Sequence, residues 1–281
     1  MEMENESGAP EASADAELLH DPLEGITPSG IIITGARRDQ IAAPFRPILD
    51  SATDAVRASG VDISVYVYGS VATGMARLQR SDVDLFTVGL PETASNELTH
   101  ELSTRFRDLC RAVNVAAGQR SDYDGDHDEA YGNRVFLRHY CVHLSGPDLH
   151  SALPDFAADA AAARGFNGDI AQHAQRWRAE LARGKDPLLL SRRLARKCLF
   201  AVAGLVSVHD HTWTTDRRVA AARWAEVAPT LAEDTETLLA WGRGEGNPRG
   251  RAVEQALDGV VARIVDDFKT SIGLWEPRSE R

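Results

Sequence analysis

The chain has 281 residues, 43% of them hydrophobic and 26% charged, which fits one large soluble domain or two of ordinary size. No uncharged apolar run approaches the roughly 18 residues of a membrane span, and the first residues lack the basic start and apolar core of a secretory signal. Three widely spaced cysteines, Cys110, Cys141 and Cys198, form neither a disulfide framework nor a structural zinc pattern, so a reducing, cytoplasmic setting is expected.

The net charge of −11 is unevenly spread: residues 1–24 hold eight acids and no Lys or Arg, which leaves −3 for the rest. That opening stretch is poor in β-branched and aromatic residues and reads as a disordered acidic tail. The near-neutral body lacks the basic footprint that tracks a nucleic-acid backbone, which counts against a nucleic-acid partner.

After the tail, "IIIT" (31–34) reads as a short strand and "IAAPFRPILDSATDAVRAS" (41–59) as a helix ending at Gly60. "DISVYVYGS" is β-branched and aromatic and reads as a strand stopping at Gly69. "SDVDLFTVGL" is a second strand, closed by Gly89 and Pro91. Leu98, Leu102, Phe106 and Leu109 share one helical face over 93–113. Residues 120–133 form a polar loop, and "RVFLRHYCVHLSG" (134–146) is expected to be a third strand. From Ser151 the texture turns helical, with segments expected at 151–163, 168–183, 188–207, 216–227, 230–243 and 250–271. All five tryptophans fall in this half. The fold class expected is α+β: a small mixed sheet flanked by helices, then an all-α helical bundle.

The chemistry concentrates in "YGSVATGMARLQRSDVDLF". Asp82 and Asp84, at i and i+2 of a strand, point to the same face, where each raises the cost of ionising the other. A divalent cation removes that cost, and Mg²⁺ favours a few carboxylates combined with phosphate oxygens. The Gly69-Ser70 turn ahead of them can offer N–H groups and a hydroxyl to phosphate. Together these parts suit phosphoryl transfer, where positioning and charge neutralisation supply most of the catalysis.

This phrase of strand, Gly69-Ser70, Gly74, Ser81 and Asp82-Val83-Asp84 resembles the nucleotidyltransferase superfamily of DNA polymerase β. Residues 194–226, "LARKCLFAVAGLVSVHDHTWTTDRRVAAARWAE", resemble the helical domain of the streptomycin/spectinomycin type of aminoglycoside adenylyltransferases. The resemblance implies a nucleotidyltransferase domain over 25–150 and a helical substrate- and nucleotide-binding domain over 151–281. It places Lys197 and Arg218 on two basic positions that contact ATP phosphates, with the family's residue types exchanged.

Such relatives have a third carboxylate on a later strand beside the Asp pair, and aligning "RVFLRHYCVHLSG" to that strand puts Cys141 in its place. With period two, His139, Cys141 and His143 would share a face. Three readings stay open. His139 or His143 replaces the base; an acid of the 120–133 loop (Asp122, Asp124, Asp126, Asp128 or Glu129) completes the site; or the protein binds nucleotide without transferring it. That loop is not an EF-hand, because counting from Asp122 puts His127 and Asn133 where Gly and Glu are required. Asp186 and Asp210 could face a cationic substrate or act as helix caps.

The expected activity is Mg²⁺-dependent transfer of AMP from ATP to a hydroxyl of a small, aminoglycoside-like molecule, with release of pyrophosphate. Asp82 and Asp84 would hold the metal, and Gly69, Ser70, Lys197 and Arg218 the nucleotide. The alternatives are transfer to tRNA or protein, as toxin-like relatives do, and a catalytically degenerate nucleotide sensor.

Overall fold

A computed structural model describes residues 19–59 and 62–276. The expected acidic tail lies outside the described residues up to position 18, as does the helix end expected at Gly60. Two compact units are formed: one spans Ile26–Ala157 and takes in Trp275 and Glu276, and the other joins Ala158–Leu274 to the segment ending at Gly25.

In the first unit, two short strands, β1 (Gly25–Ile26) and β2 (Ile32–Ile33), precede helix α1 (Arg46–Ala58). The main sheet has four strands: β3 (Ser64–Tyr68), β4 (Val83–Val88), β5 (Val113–Gly118) and β6 (Val142–Ser145). Their order is β5-β4-β3-β6, with β4 and β5 parallel and the other pairs antiparallel. Between them lie α2 (Gly69–Ala72), α3 (Glu92–Arg105) and α4 (Asp128–Tyr140).

Alternation decides what each face of the sheet does. Val65, Val67, Val83, Leu85, Val113 and Val115 face Ile48, Leu49, Leu98 and Leu102 of α1 and α3 in one apolar layer. The opposite face carries Tyr66, Tyr68, Phe86 and Val88 against Phe136, Leu137 and Cys141. Asp84 lies on that second face by strand parity, at the end where the aromatic layer stops.

Three expectations for this unit are corrected. Residues 134–140, expected as strand, complete helix α4, and only Val142–Ser145 are extended. The helix wins because Phe136 and Tyr140 stack one turn apart while Ala130, Val135 and Leu137 are buried. Residues 106–113, expected to prolong the preceding helix, instead turn and enter strand β5. The expected helix at 151–163 starts only at Ala160, where the Asp159 side chain accepts the Ala162 N–H. Ahead of it, Pro154 disfavours helix at the residue before it. Phe156 O accepts the Ile32 N–H at 3.0 Å, so 151–157 belong with the sheet rather than with the helices. The two compact units divide at Ala157/Ala158.

The second unit is helical: α5 (Ala160–Asn167), α6 (Ile170–Ala182), α7 (Pro187–His209), α8 (Arg217–Val227), α9 (Ala232–Arg243), α10 (Gly250–Asp258) and α11 (Val260–Ser271). The helix expected at 250–271 is broken at Gly259. Helix α7 runs through the core, burying Leu190, Leu194, Cys198, Leu199, Val202, Leu205 and Val206. Gly204 allows a close approach there, since a Cβ would lie 3.3 Å from both Ala163 and Phe268. The last six residues of the expected tail are placed against this unit. Arg223 donates to Leu19 O at 2.7 Å, Thr214 donates to Asp21, and Thr215 N–H and hydroxyl donate to Glu24 at 2.6 Å.

Candidate active site at the β3–β4 end

Strand β3 ends at Tyr68 and the chain turns at once through Gly69, whose φ of +69° favours glycine. A Cβ at Gly69 would sit 3.1 Å from Asp84 Oδ2, so the turn and the carboxylate are in direct apposition. Ser70 follows in the single turn α2, and its carbonyl accepts the N–H groups of Met75 and Ala76 at 2.9 and 3.0 Å. Gly74, at φ +75°, packs against Gln40, with 3.0 Å from a would-be Cβ to the Gln40 carbonyl. The Ser81 hydroxyl accepts the Arg77 N–H at 2.9 Å and closes the loop into β4.

Asp84 pairs with Tyr68 on one side and with Asn114 on the other. Its carboxyl is held above the usual carboxylate range, first by burial and then by the nearby Asp82 charge, while the Asn114 amide works against the rise. Asn114 Nδ2 donates to Asp84 Oδ1 at 2.9 Å. Asp82 is gripped by Arg111, whose Nε donates to Oδ1 at 2.9 Å and whose Nη2 donates to Oδ2. Neither Arg111 nor Asn114 is singled out by the sequence; the cue they offer is that both precede or enter a strand running parallel to β4.

The strand beside the aspartates on their far side is β5, not the strand around Cys141. The position level with Asp84 is therefore held by the amide of Asn114. Cys141 is 3% exposed and closes α4, and burial pushes its thiol well above its ordinary range. It is a packed thiol rather than a ligand. Tyr68, beside it, is pushed up to about 12 by burial and by the charge of Asp84.

His139 and His143 do not share a strand face. His139 lies on α4, its Nε2 accepts the Phe156 N–H at 2.9 Å, and burial lowers it to about 4. His143 lies on β6 opposite Tyr66, ring to ring at 5.3 Å, and its Nε2 is 3.0 Å from Gly146 O. Both rings are thus engaged with structural partners. The acidic loop does not complete the site either. Asp122 takes the Gln119 N–H at 2.7 Å as a cap, Asp128 and Glu129 open α4, and Asp124 and Asp126 precede it. Among the described residues no group of three or more His, Cys, Asp or Glu side chains is placed to hold a metal. The donor set at Asp82 and Asp84 is two hard carboxylates, which fits one Mg²⁺ completed by phosphate oxygens and water.

In the helical unit, the Lys197 ammonium lies 2.7 Å from Asp169 Oδ1 and donates to Phe166 O at 3.1 Å. Asp169 also faces His173 Nε2 at 3.0 Å. Its carboxyl is held down at about 2 against the opposing effect of burial, by the His173 hydrogen bond and then the Lys197 charge. Arg218 is exposed on the first turn of α8, whose cap is Asp216. It lines a small cavity of about 190 Å³ with Arg217, Arg243 and Leu239. Asp186 caps α7 through the Leu188 N–H, and Asp210 accepts from Arg223 at 2.7 Å, so both serve the helices.

Residues 49–114 match the family model of the nucleotidyltransferase domain. No curated protein matches the sequence. Among solved structures, the chain is similar to the crystal structure of spectinomycin adenyltransferase AAD(9) from Enterococcus faecialis with ATP and spectinomycin. That likeness is 12% identity at a TM-score of 0.49, over 78% of this chain and 99% of that one. The chain thus carries a match to a nucleotidyltransferase domain over residues 49–114, the stretch that holds Gly69, Ser70, Asp82 and Asp84.

Proposed function

We propose that the protein transfers AMP from ATP, with Mg²⁺, to a hydroxyl of a small, aminoglycoside-like molecule in the cytoplasm. The observation that carries this reading is the apposition of the Gly69 turn to Asp84, with Asp82 two residues before it on the same face. Asp82 and Asp84 would hold the cation, which when bound offsets the phosphate charge that otherwise opposes nucleophilic attack. Gly69 lets the chain pass close to the carboxylate, and the Ser70 hydroxyl and turn N–H groups orient the triphosphate. Asn114 fixes the rotamer of the Asp84 carboxylate through its hydrogen bond. The preference for a small acceptor rests on the resemblance of residues 194–226, and the near-neutral body counts against tRNA.

The test is incubation with ATP labelled at the α-phosphate, Mg²⁺, and separate panels of aminocyclitols and aminoglycosides, tRNA and protein. Label on a small hydroxylated acceptor with matching pyrophosphate supports the proposal, and its loss in Asp84→Asn ties it to this site. Label on tRNA or protein instead moves the acceptor class. A nucleotide sensor is the second reading, favoured by the amide of Asn114 level with Asp84. Calorimetric ATP binding with no pyrophosphate from any panel would establish it.

A further inference from the structure

Arg111 is delivered to Asp82 by the backbone rather than by chance of a long side chain. Its N–H donates to Ser81 O at 3.0 Å, and the Val83 N–H donates to Ala112 O at 2.9 Å. These bonds zip residues 111–112 alongside 81–83, so the guanidinium emerges next to the carboxylate. Both Asp82 oxygens then accept from it. Oδ1 of Asp84 accepts from Asn114 in the same way, two residues further along. The strand edge facing the aspartates therefore presents one cation and one neutral donor, and no acid.

Asp82, Asp84 and Arg111 together carry a net charge of −1. Two divalent cations side by side need shared carboxylates to offset four positive charges, and no third acid joins the pair among the described residues. One divalent cation carried in on a polyphosphate meets no such conflict. The pair is bidentate, but it is open to solvent and ions, because the Arg111 side chain is 67% exposed and Asp82 is 21% exposed. A divalent cation can therefore reach the same two oxygens and compete with the guanidinium for them. Once released, the planar guanidinium remains within reach of the incoming phosphates, whose geometry it matches.

We propose that Arg111 is a resident counter-cation for Asp82, exchanged for a single metal ion on nucleotide binding and then turned to the phosphates. This rests on the reading of Asp82 and Asp84 as metal ligands. It makes Arg111 a positioning residue, with opposite effects on the two ligands. In the full-length protein, Mn²⁺ titration followed by electron paramagnetic resonance, with and without α,β-methylene ATP, reads the site without turnover. The result expected is about one Mn²⁺ per chain in the presence of the analogue. Arg111→Gln is expected to bind Mn²⁺ alone roughly twofold to fivefold more tightly, as removal of a solvent-accessible competing pair implies. The same variant is expected to bind the analogue more weakly once Mn²⁺ is present, and Arg111→Lys to restore part of both effects.

Two Mn²⁺ per chain in the wild type would overturn the proposal, as would unchanged or weaker Mn²⁺ binding by a folded Arg111→Gln. Should that variant fail to fold, Arg111→Lys alone decides by the same two affinities. Failure to transfer nucleotide to any acceptor, with Mn²⁺ binding as expected, would reject the transferase reading and leave this one standing.

Discussion

Asn114 on β5 stands level with Asp84 on β4 and donates its amide to Oδ1 at 2.9 Å. The amide quiets a carboxyl that burial and Asp82 both disfavour in its charged form. Asn114→Asp would replace the donor with a third carboxylate. The expected outcome is a metal-free protein less stable by about 1 kcal/mol, from like charges in contact near the surface, with the loss reversed by millimolar Mg²⁺. Thermal melts with EDTA and with Mg²⁺ check this; equal melting points for variant and wild type in EDTA would contradict it.

Gly69→Ala should act on the same carboxylate from the other strand. At φ +69° an Ala costs about 1–2 kcal/mol, and its Cβ would press on Asp84 Oδ2. Chemical denaturation should show that loss, together with weakened metal binding. A variant that loses stability yet binds Mn²⁺ as before would separate the turn from the site.

Lys197 is expected to matter for folding before it matters for nucleotide. Replacing it with Met leaves half-buried Asp169 with His173 as its remaining partner, at a cost of about 1–3 kcal/mol, the order of a lost hydrogen bond to a charged group. The double variant Lys197→Met/Asp169→Asn should recover part of that loss in a urea titration. Full stability in the single variant, with reduced ATP affinity, would instead give Lys197 to the phosphates.

The two units should lose stability in different pH windows. His139 in the first unit is lowered from 6.5 to about 4, so it is neutral when folded and takes up a proton more readily when unfolded. Its contribution is complete above 6.5 and declines as pH falls toward 4. Asp169 in the helical unit is lowered from 3.8 to about 2, so its contribution is complete above 3.8 and declines as pH falls toward 2. His139→Asn should remove the upper window and leave the lower; hydrogen exchange resolved by segment would follow each unit separately.

The aspartate strand was legible because its inward partners, Val83 and Leu85, alternate cleanly with Asp82, Asp84 and Phe86. The Gly69-Ser70 turn was legible because glycine is the residue that a positive φ selects. Strand β5 was not. Its second half, Ala116-Ala117-Gly118, has little strand propensity, and Gly118 is required because a Cβ would lie 2.8 Å from the Phe86 ring. Missing β5 meant looking for the acid's replacement at Cys141, on the wrong side of the sheet. Helix α4 misled in the opposite direction: Val135, Phe136 and Tyr140 are strand-prone types, and packing against the aromatic face of the sheet overrode them.

Leu19, Asp21 and Glu24 are fastened to Thr214, Thr215 and Arg223, across as many as 204 positions of the chain. The helical unit is consequently a host, and the sheet unit a guest inserted near its start. During synthesis the first segment of this host leaves the ribosome long before its docking site exists. The guest, by contrast, is one stretch over Ile26–Ala157 apart from Trp275 and Glu276, and that stretch can close on its own contacts early. Its folding shortens the span that must be closed entropically to bring the host's two pieces together. The topology thus favours an assembly order in which the sheet half closes first and the helical half is completed only after residues 214–223 have been made.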